Sequence, residues 1–228
     1  MSTPLHPVIE NPELCTAFRR FIDQKLFPCV GAKSALAHRA IEVVPARDIR
    51  SAWDDLAVHE RLCAFSDAHA DSSDGLRSFA VVFDGPHHLT EAEFETALWE
   101  RLQSLRDKDR WLSYTHDPAV ARDPASPDFA YSVGGAAYFV VGMHPRASRV
   151  SRRTPMPALV FNPFAQFERL RQDGAFDRMS RVIKKRDLAV CGSENPMLAD
   201  HGETSAARQF SGRAVEDSWT CPFSPERS

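Results

Sequence analysis

The stretch FAYSVGGAAYFVVGM, residues 129–143, decides the fold. Two apolar runs, Phe129 to Val133 and Ala136 to Met143, flank the pair Gly134-Gly135. Two glycines supply the positive φ angles that a two-residue hairpin turn demands, so an antiparallel hairpin is expected; one bent strand with a glycine bulge is the alternative. Working outward, Ala158 to Phe161, Ser78 to Phe83 and Ile41 to Val44 read as further short strands, the last ended by Pro45. Helical patterns lie between them. Asn11-Pro12 reads as a cap and first helical residue, followed by Leu14, Phe18, Phe21 and Ile22 on one face to about Leu26, and Gly31 to Arg39 suits a short second helix. A third pattern runs from Asp48 through Ile49, Trp53, Leu56, Leu62 and Phe65 to the polar stop Asp71 to Gly75. Thr90 and Glu93 have capping-box spacing, with Leu89 and Phe94 as the hydrophobic staple, opening a helix that carries Ala97, Leu98, Leu102 and Leu105. Asn162-Pro163 reads as the cap and first residue of another helix with Phe164, Phe167 and Leu170, which Gly174 interrupts. Phe176, Met179, Val182 and Ile183 then continue the helical period to about Arg186. Strands and helices mix without regular alternation. This predicts an α+β fold: a single domain over residues 1–228 with a small central antiparallel or mixed sheet flanked by helices.

Composition narrows the function. A chain of 228 residues with 43% hydrophobic content can bury a substantial core. Lys plus Arg number 28 against 31 for Asp plus Glu, a net charge of -3, so no basic field exists to neutralise phosphates and nucleic acid is not an expected partner. Met1 to Pro12 lacks a basic start followed by an apolar run, and no stretch approaches the roughly 20 apolar residues of a membrane span, so a cytoplasmic location without membrane partner is expected. The five cysteines, Cys15, Cys29, Cys63, Cys191 and Cys221, form no CxxC pair and read as thiols. Any haem would be held without covalent attachment, because CxxCH is absent. No glycine-rich phosphate loop indicates a nucleotide cofactor.

One segment combines residue types with chemistry. An apolar strand delivers His144 to the bend at Pro145, and Arg146, Arg149, Arg152 and Arg153 follow. A neutral imidazole at a strand end can ligate iron, and guanidinium groups pair bidentately with carboxylates such as haem propionates. The other reading is a hydrogen-bonded histidine beside a solvated basic face. His116, beside Asp117-Pro118 in the Pro- and Asp-rich loop 117–128, is a candidate substrate contact or an ordinary loop histidine. His87-His88 and His201 read as turn residues. Cys29 in Phe27-Pro28-Cys29 and Cys221 in Trp219-Thr220-Cys221-Pro222-Phe223 are alternative thiolate ligands or inert buried thiols.

Several phrases in order resemble the YqcI/YcgG-like family. They are Phe27-Pro28-Cys29 with Ala32; Phe83 to Pro86; Leu98-Trp99 with Leu102-Gln103; Phe129, Ser132 and Gly134-Gly135; Val141-Gly142-Met143-His144-Pro145 with Ser148-Arg149 and Arg152-Arg153; Phe161-Asn162-Pro163 with Gln166-Phe167 and Leu170-Arg171; Arg186-Asp187; Gly192 with Asn195 to Leu198; Asp200-His201-Gly202; Ser205 to Gln209; Ser211-Gly212-Arg213; and Trp219 with Cys221-Pro222-Phe223. The resemblance implies a non-covalent haem b protein, a monooxygenase that hydroxylates a nitrogen of a small guanidino or amine substrate such as an arginine derivative. A reductase or ferredoxin is then the implied electron donor, and an oligomer is compatible. It implies His144 as axial iron ligand, with Arg149, Arg152, Arg153 and Arg213 for the propionates. Glu194, Asp200 and Glu203 are the acidic residues nearest the tail that would face a cationic substrate. One departure stands out: the family pattern leads one to expect histidine after Asn162-Pro163, where this chain has Phe164. The substitution either removes a ligand or proton donor or reshapes a distal pocket. A non-catalytic haem or small-molecule binding protein is the alternative function.

Overall fold

The computed structural model describes residues 9–69, 75–197 and 203–225. Its elements run α1 (Pro12–Asp23), α2 (Val30–Ala37), β1 (Ile41–Asp48), α3 (Asp55–His69), β2 (Ser78–Gly85), α4 (Glu91–Trp111), β3 (Tyr131–Val133), β4 (Ala136–Met143), β5 (Ala158–Pro163), α5 (Phe164–Gln172), α6 (Ala175–Cys191) and α7 (Ala207–Phe210). The sheet order is β1-β2-β5-β4-β3. β1 and β2 are parallel and every other neighbouring pair is antiparallel, so the sheet is mixed and the class is α+β as expected. No helix among the described residues is long and apolar enough to cross a membrane.

Strand periodicity divides the core. Phe79, Val81 and Phe83 of β2 face the layer of α3 and α4, while Ala80 and Val82 face the layer of α1. β4 alternates the same way, with Tyr138 and Val140 on the first face and Val141 and Met143 on the second. The central turn is the hairpin: Gly134 and Gly135 have φ of 61° and 78°, and Val133 pairs with Ala136. The Tyr131 hydroxyl then ties β3 to α4 by donating to the Leu102 carbonyl at 2.7 Å.

Gly142 is a close approach of another kind. A Cβ there would lie 2.6 Å from Leu98 Cδ1, 2.8 Å from Phe94 Cε1 and 2.8 Å from the Phe210 carbonyl oxygen. Gly142→Ala is therefore expected to cost about 1–3 kcal/mol through overpacking, read as a lower urea midpoint.

Thr90 and Glu93 form the expected capping box, and Leu89 and Phe94 are both buried. Among the boundaries that differ, four have a clear physical reason. β1 passes through Pro45 to Asp48, because β1 is the sheet edge, where a proline is tolerated. α3 begins at Asp55, not Asp48: Ile49 continues the strand by donating to the Gly85 carbonyl at 3.1 Å, and Asp54 is engaged by the Arg47 amide at 2.8 Å. Asn162 does not cap α5. It lies in β5, where its side chain accepts from Ser78 Oγ at 2.7 Å and donates to the Phe139 carbonyl at 3.1 Å. α6 continues past Arg186 to Cys191, ending at Gly192 with φ 75°. The polar stretch Asp71 to Asp74 lies outside the described residues.

Candidate functional site

An aromatic cavity of about 250 Å³ lies between β4, α5, α6 and the segment around α7. α5 and α6 create it because each carries aromatic or apolar residues at helical spacing: Phe164 and Phe167 on α5, Phe176, Met179 and Ile183 on α6. Gly174, with φ 61°, lets the chain turn between the two helices. The rings interlock edge to face. Phe139 meets Phe167 at 6.4 Å and 82°, and Phe167 meets Phe176 at 6.2 Å and 84°. Phe164 packs against Val120, Ala130 and Ala137 and forms another part of the wall.

Two cations, Arg171 and Lys184, and one carboxylate, Asp128, line the same cavity. The Arg171 guanidinium lies 4.6 Å from the Phe176 ring centroid and 5.9 Å from that of Phe164, and it is bonded to Glu168. Its Nε is buried with no hydrogen-bond partner. Aromatic walls with an arginine held over them can cover a flat apolar body and pair with an anionic group on it.

The histidine and the arginines proposed for the site are elsewhere. His144 directly follows β4, is 2% exposed, and stacks on Phe94 at 4.4 Å with an 18° tilt. Burial lowers its pKa to about 4, so the ring is neutral, and Nδ1 has no hydrogen-bond partner. His144 lines neither the aromatic cavity nor the second one.

All four arginines named for propionates are engaged internally. Arg149 bonds the Asp187 carboxylate and donates to the Ser193 and Glu194 carbonyls at 2.9 and 3.2 Å. Arg152 donates to the Gly142 and Phe210 carbonyls, both at 3.1 Å, and burial lowers its pKa to about 10. Arg153 holds the Ala147 and Ser148 carbonyls, and Arg213 pairs with Glu95 at 2.5 Å. Arg149 and Arg152 brace the bend after β4 against α6 and the C-terminal segment, Arg153 closes the bend on itself, and Arg213 ties the C-terminal segment to α4. Arg149 also borders the second cavity, about 220 Å³, with Ser148, Cys191 and Met197.

His116 Nε2 donates to the Val120 carbonyl, 3.0 Å away, within its own loop, and burial lowers its pKa. Cys29 caps α2 by accepting from the Ala32 amide at 3.4 Å, and burial raises its pKa. The Cys221 thiol is pushed up to about 12 by burial beside the core containing Trp99 and Phe223. The Glu194 carbonyl serves Arg149, and Glu203 is exposed. Asp200, His201 and Gly202 lie outside the described residues.

For haem, the requirements are therefore separated. The aromatic cavity has suitable walls and cations, but its described lining contains no histidine or cysteine, and Phe164 stands where the histidine was expected. His144 has a neutral imidazole and lines neither of the two cavities described. The described residues do not fit a haem ligated by His144 and paired with these arginines. The sequence reading missed Arg171 and Lys184, although their spacing places them on the aromatic faces of α5 and α6. It also missed a buried group, His59, Cys63 and Asp109, for which the His-x-x-x-Cys spacing on α3 was the available signal.

A model of the YqcI/YcgG family matches residues 18–224. No curated protein and no solved structure matches the chain.

Proposed function

Because the chain belongs to the YqcI/YcgG family and holds Arg171 over an aromatic cavity, we propose that it binds a small molecule that is flat, largely apolar and anionic. The buried, unpartnered Nε of Arg171 at that wall is the observation that carries this reading. Phe139, Phe167 and Phe176 would cover the apolar body, gaining about 25 cal/mol for each Å² withdrawn from water. Arg171 would take the anion, with Lys184 adding charge. Glu168 and the Phe176 ring keep the guanidinium in place, so little side-chain freedom is lost on binding.

Calorimetric titration with naphthoate and with naphthalenemethanol tests the reading. Naphthoate is expected to bind about tenfold or more tightly than the alcohol, the margin of a charge-assisted hydrogen bond, and Arg171→Met should erase the difference. Absence of saturable binding by either compound, or equal affinity for both, would overturn it.

The second reading is the haem-dependent N-oxygenase, a monooxygenase acting on a guanidino or amine nitrogen. The neutral imidazole of His144 with its unpartnered Nδ1 favours it. It requires Phe94 to leave the His144 ring. The test is the absorption spectrum, ferric and ferrous with carbon monoxide, after expression with a haem precursor. A histidine-type spectrum lost in His144→Ala supports it, followed by a screen of guanidino and amine substrates. A thiolate-type spectrum points to Cys29 or Cys221, and a colourless protein removes the reading.

A further inference from the structure

We propose that His59, Cys63 and Asp109 form a binding site for a divalent metal ion of the zinc class, in the seam between α3, α4 and the β3–β4 turn. Among the described residues they are the one group of three histidine, cysteine or acidic side chains whose ligand atoms all lie within 4.8 Å of one another. An imidazole, a thiol and a carboxylate together suit a borderline-soft ion better than calcium or magnesium.

The backbone supplies the spacing. His59 and Cys63 are one turn apart on α3 and share a face, while Asp109 comes from α4. Cys63 Sγ is 3.8 Å from His59 Nε2. A tetrahedral ion with nitrogen at about 2.0–2.1 Å and sulfur at about 2.3 Å sets those atoms about 3.5 Å apart. The sulfur is also 3.7 Å from Nδ1. Near-equal distances from both nitrogens put it off the in-plane lone-pair direction of either, so no linear thiol–imidazole hydrogen bond has to be broken. For the ion to bind, His59 Nε2 and Asp109 Oδ1, now 2.7 Å apart, must separate to about 3.3 Å as it replaces the proton between them, and the Cys63 side chain must turn toward the Nε2 lone pair. Binding releases that proton and the thiol proton to solvent.

The surroundings resemble a supporting shell. The Gly134 amide donates to both Asp109 oxygens, at 2.8 and 3.0 Å, and Arg106 donates to Oδ2 at 3.1 Å, which fixes the carboxylate's orientation. Tyr114 bonds the Cys63 thiol, stands edge-on to His59 at 5.6 Å, and is 39% exposed. It gives the seam a route to solvent and leaves the phenol or a water for the fourth position. Arg106 opposes the ion's charge, and two ligand anions offset it.

The test titrates cobalt(II) into the chelator-treated, full-length protein. One equivalent is expected to produce a thiolate-to-cobalt charge-transfer band with tetrahedral d–d absorption, displaced by zinc. Cys63→Ser should abolish the band, while Cys191→Ala, the other thiol beside a carboxylate, should keep it. If Cys63→Ser fails to fold, X-ray absorption of the zinc-loaded native protein decides: one sulfur at about 2.3 Å with nitrogen or oxygen at about 2.0–2.1 Å is expected. No stoichiometric metal, a shell without sulfur, or a band that survives in Cys63→Ser would overturn the proposal and leave the group as a His–Asp clamp.

Discussion

Asp109→Ala is expected to destabilise the metal-free protein by about 3–5 kcal/mol, the cost of removing one partner from a buried ion pair. Asp109 is fully buried and serves three partners from three places: His59 on α3 at 2.7 Å, Arg106 on its own helix at 3.1 Å, and the Gly134 amide in the hairpin turn at 2.8 Å. Truncation leaves the Arg106 cation, itself 6% exposed, without its carboxylate, and strands an amide and an imidazole. Asp109→Asn keeps the volume and one carbonyl acceptor, so a smaller loss is expected. Urea unfolding measures both; the midpoint should fall with little change in slope. A loss under about 1 kcal/mol for the alanine variant would show that α3, α4 and the turn are held by apolar packing alone.

The second large effect is acid sensitivity at His144. Its folded pKa is about 4, against an ordinary value of 6.5, chiefly because burial disfavours the charged ring; Arg152 and Arg146 act in the same direction and Glu91 opposes them. Between about pH 6.5 and 4 the unfolded chain therefore carries a proton at this position that the folded chain does not. Stability contributed here is complete above the unfolded pKa and is lost as pH falls toward the folded one, by about 3 kcal/mol in all. Unfolding free energies of the native protein and His144→Leu at pH 7 and pH 4.5 test it. The native protein should lose more than the variant, although carboxylates add a common acid slope to both. Equal losses would mean that the ring acquires a proton partner in the folded state.

The elements read correctly from the sequence are those specified locally. Thr90, Glu93, Leu89 and Phe94 lie within six consecutive positions and need no tertiary information to cap α4. Gly134-Gly135 likewise carries its turn conformation in its own residues. Pro45 misled because its tolerance depends on β1 being the sheet edge, a fact settled only when β2 pairs on the other side. Asn162 misled because distant groups, Ser78 and the Phe139 carbonyl, claim the side chain that would have capped α5. The sites suffered most. The aromatic cavity assembles Phe139, Phe167, Phe176 and Gln209 from widely separated segments, and His59 meets Asp109 across 50 residues. The basic run after His144 looked like a cofactor clamp because sequence shows its charge and not its partners; Asp187 and backbone carbonyls use that charge internally.

The two ends of the sheet have a consequence for how copies of this chain meet. An open sheet offers unpaired amide and carbonyl groups along its outer strands, and those groups can template a strand from another molecule. Here one outer strand, β1, is interrupted by Pro45, and the other, β3, is three residues long. Neither presents a long, continuous ladder. Crowded copies of the folded chain therefore lack the simplest route to fibrous, sheet-to-sheet polymers, and Pro45→Val, which restores a donor at the β1 edge, is the change that would open it.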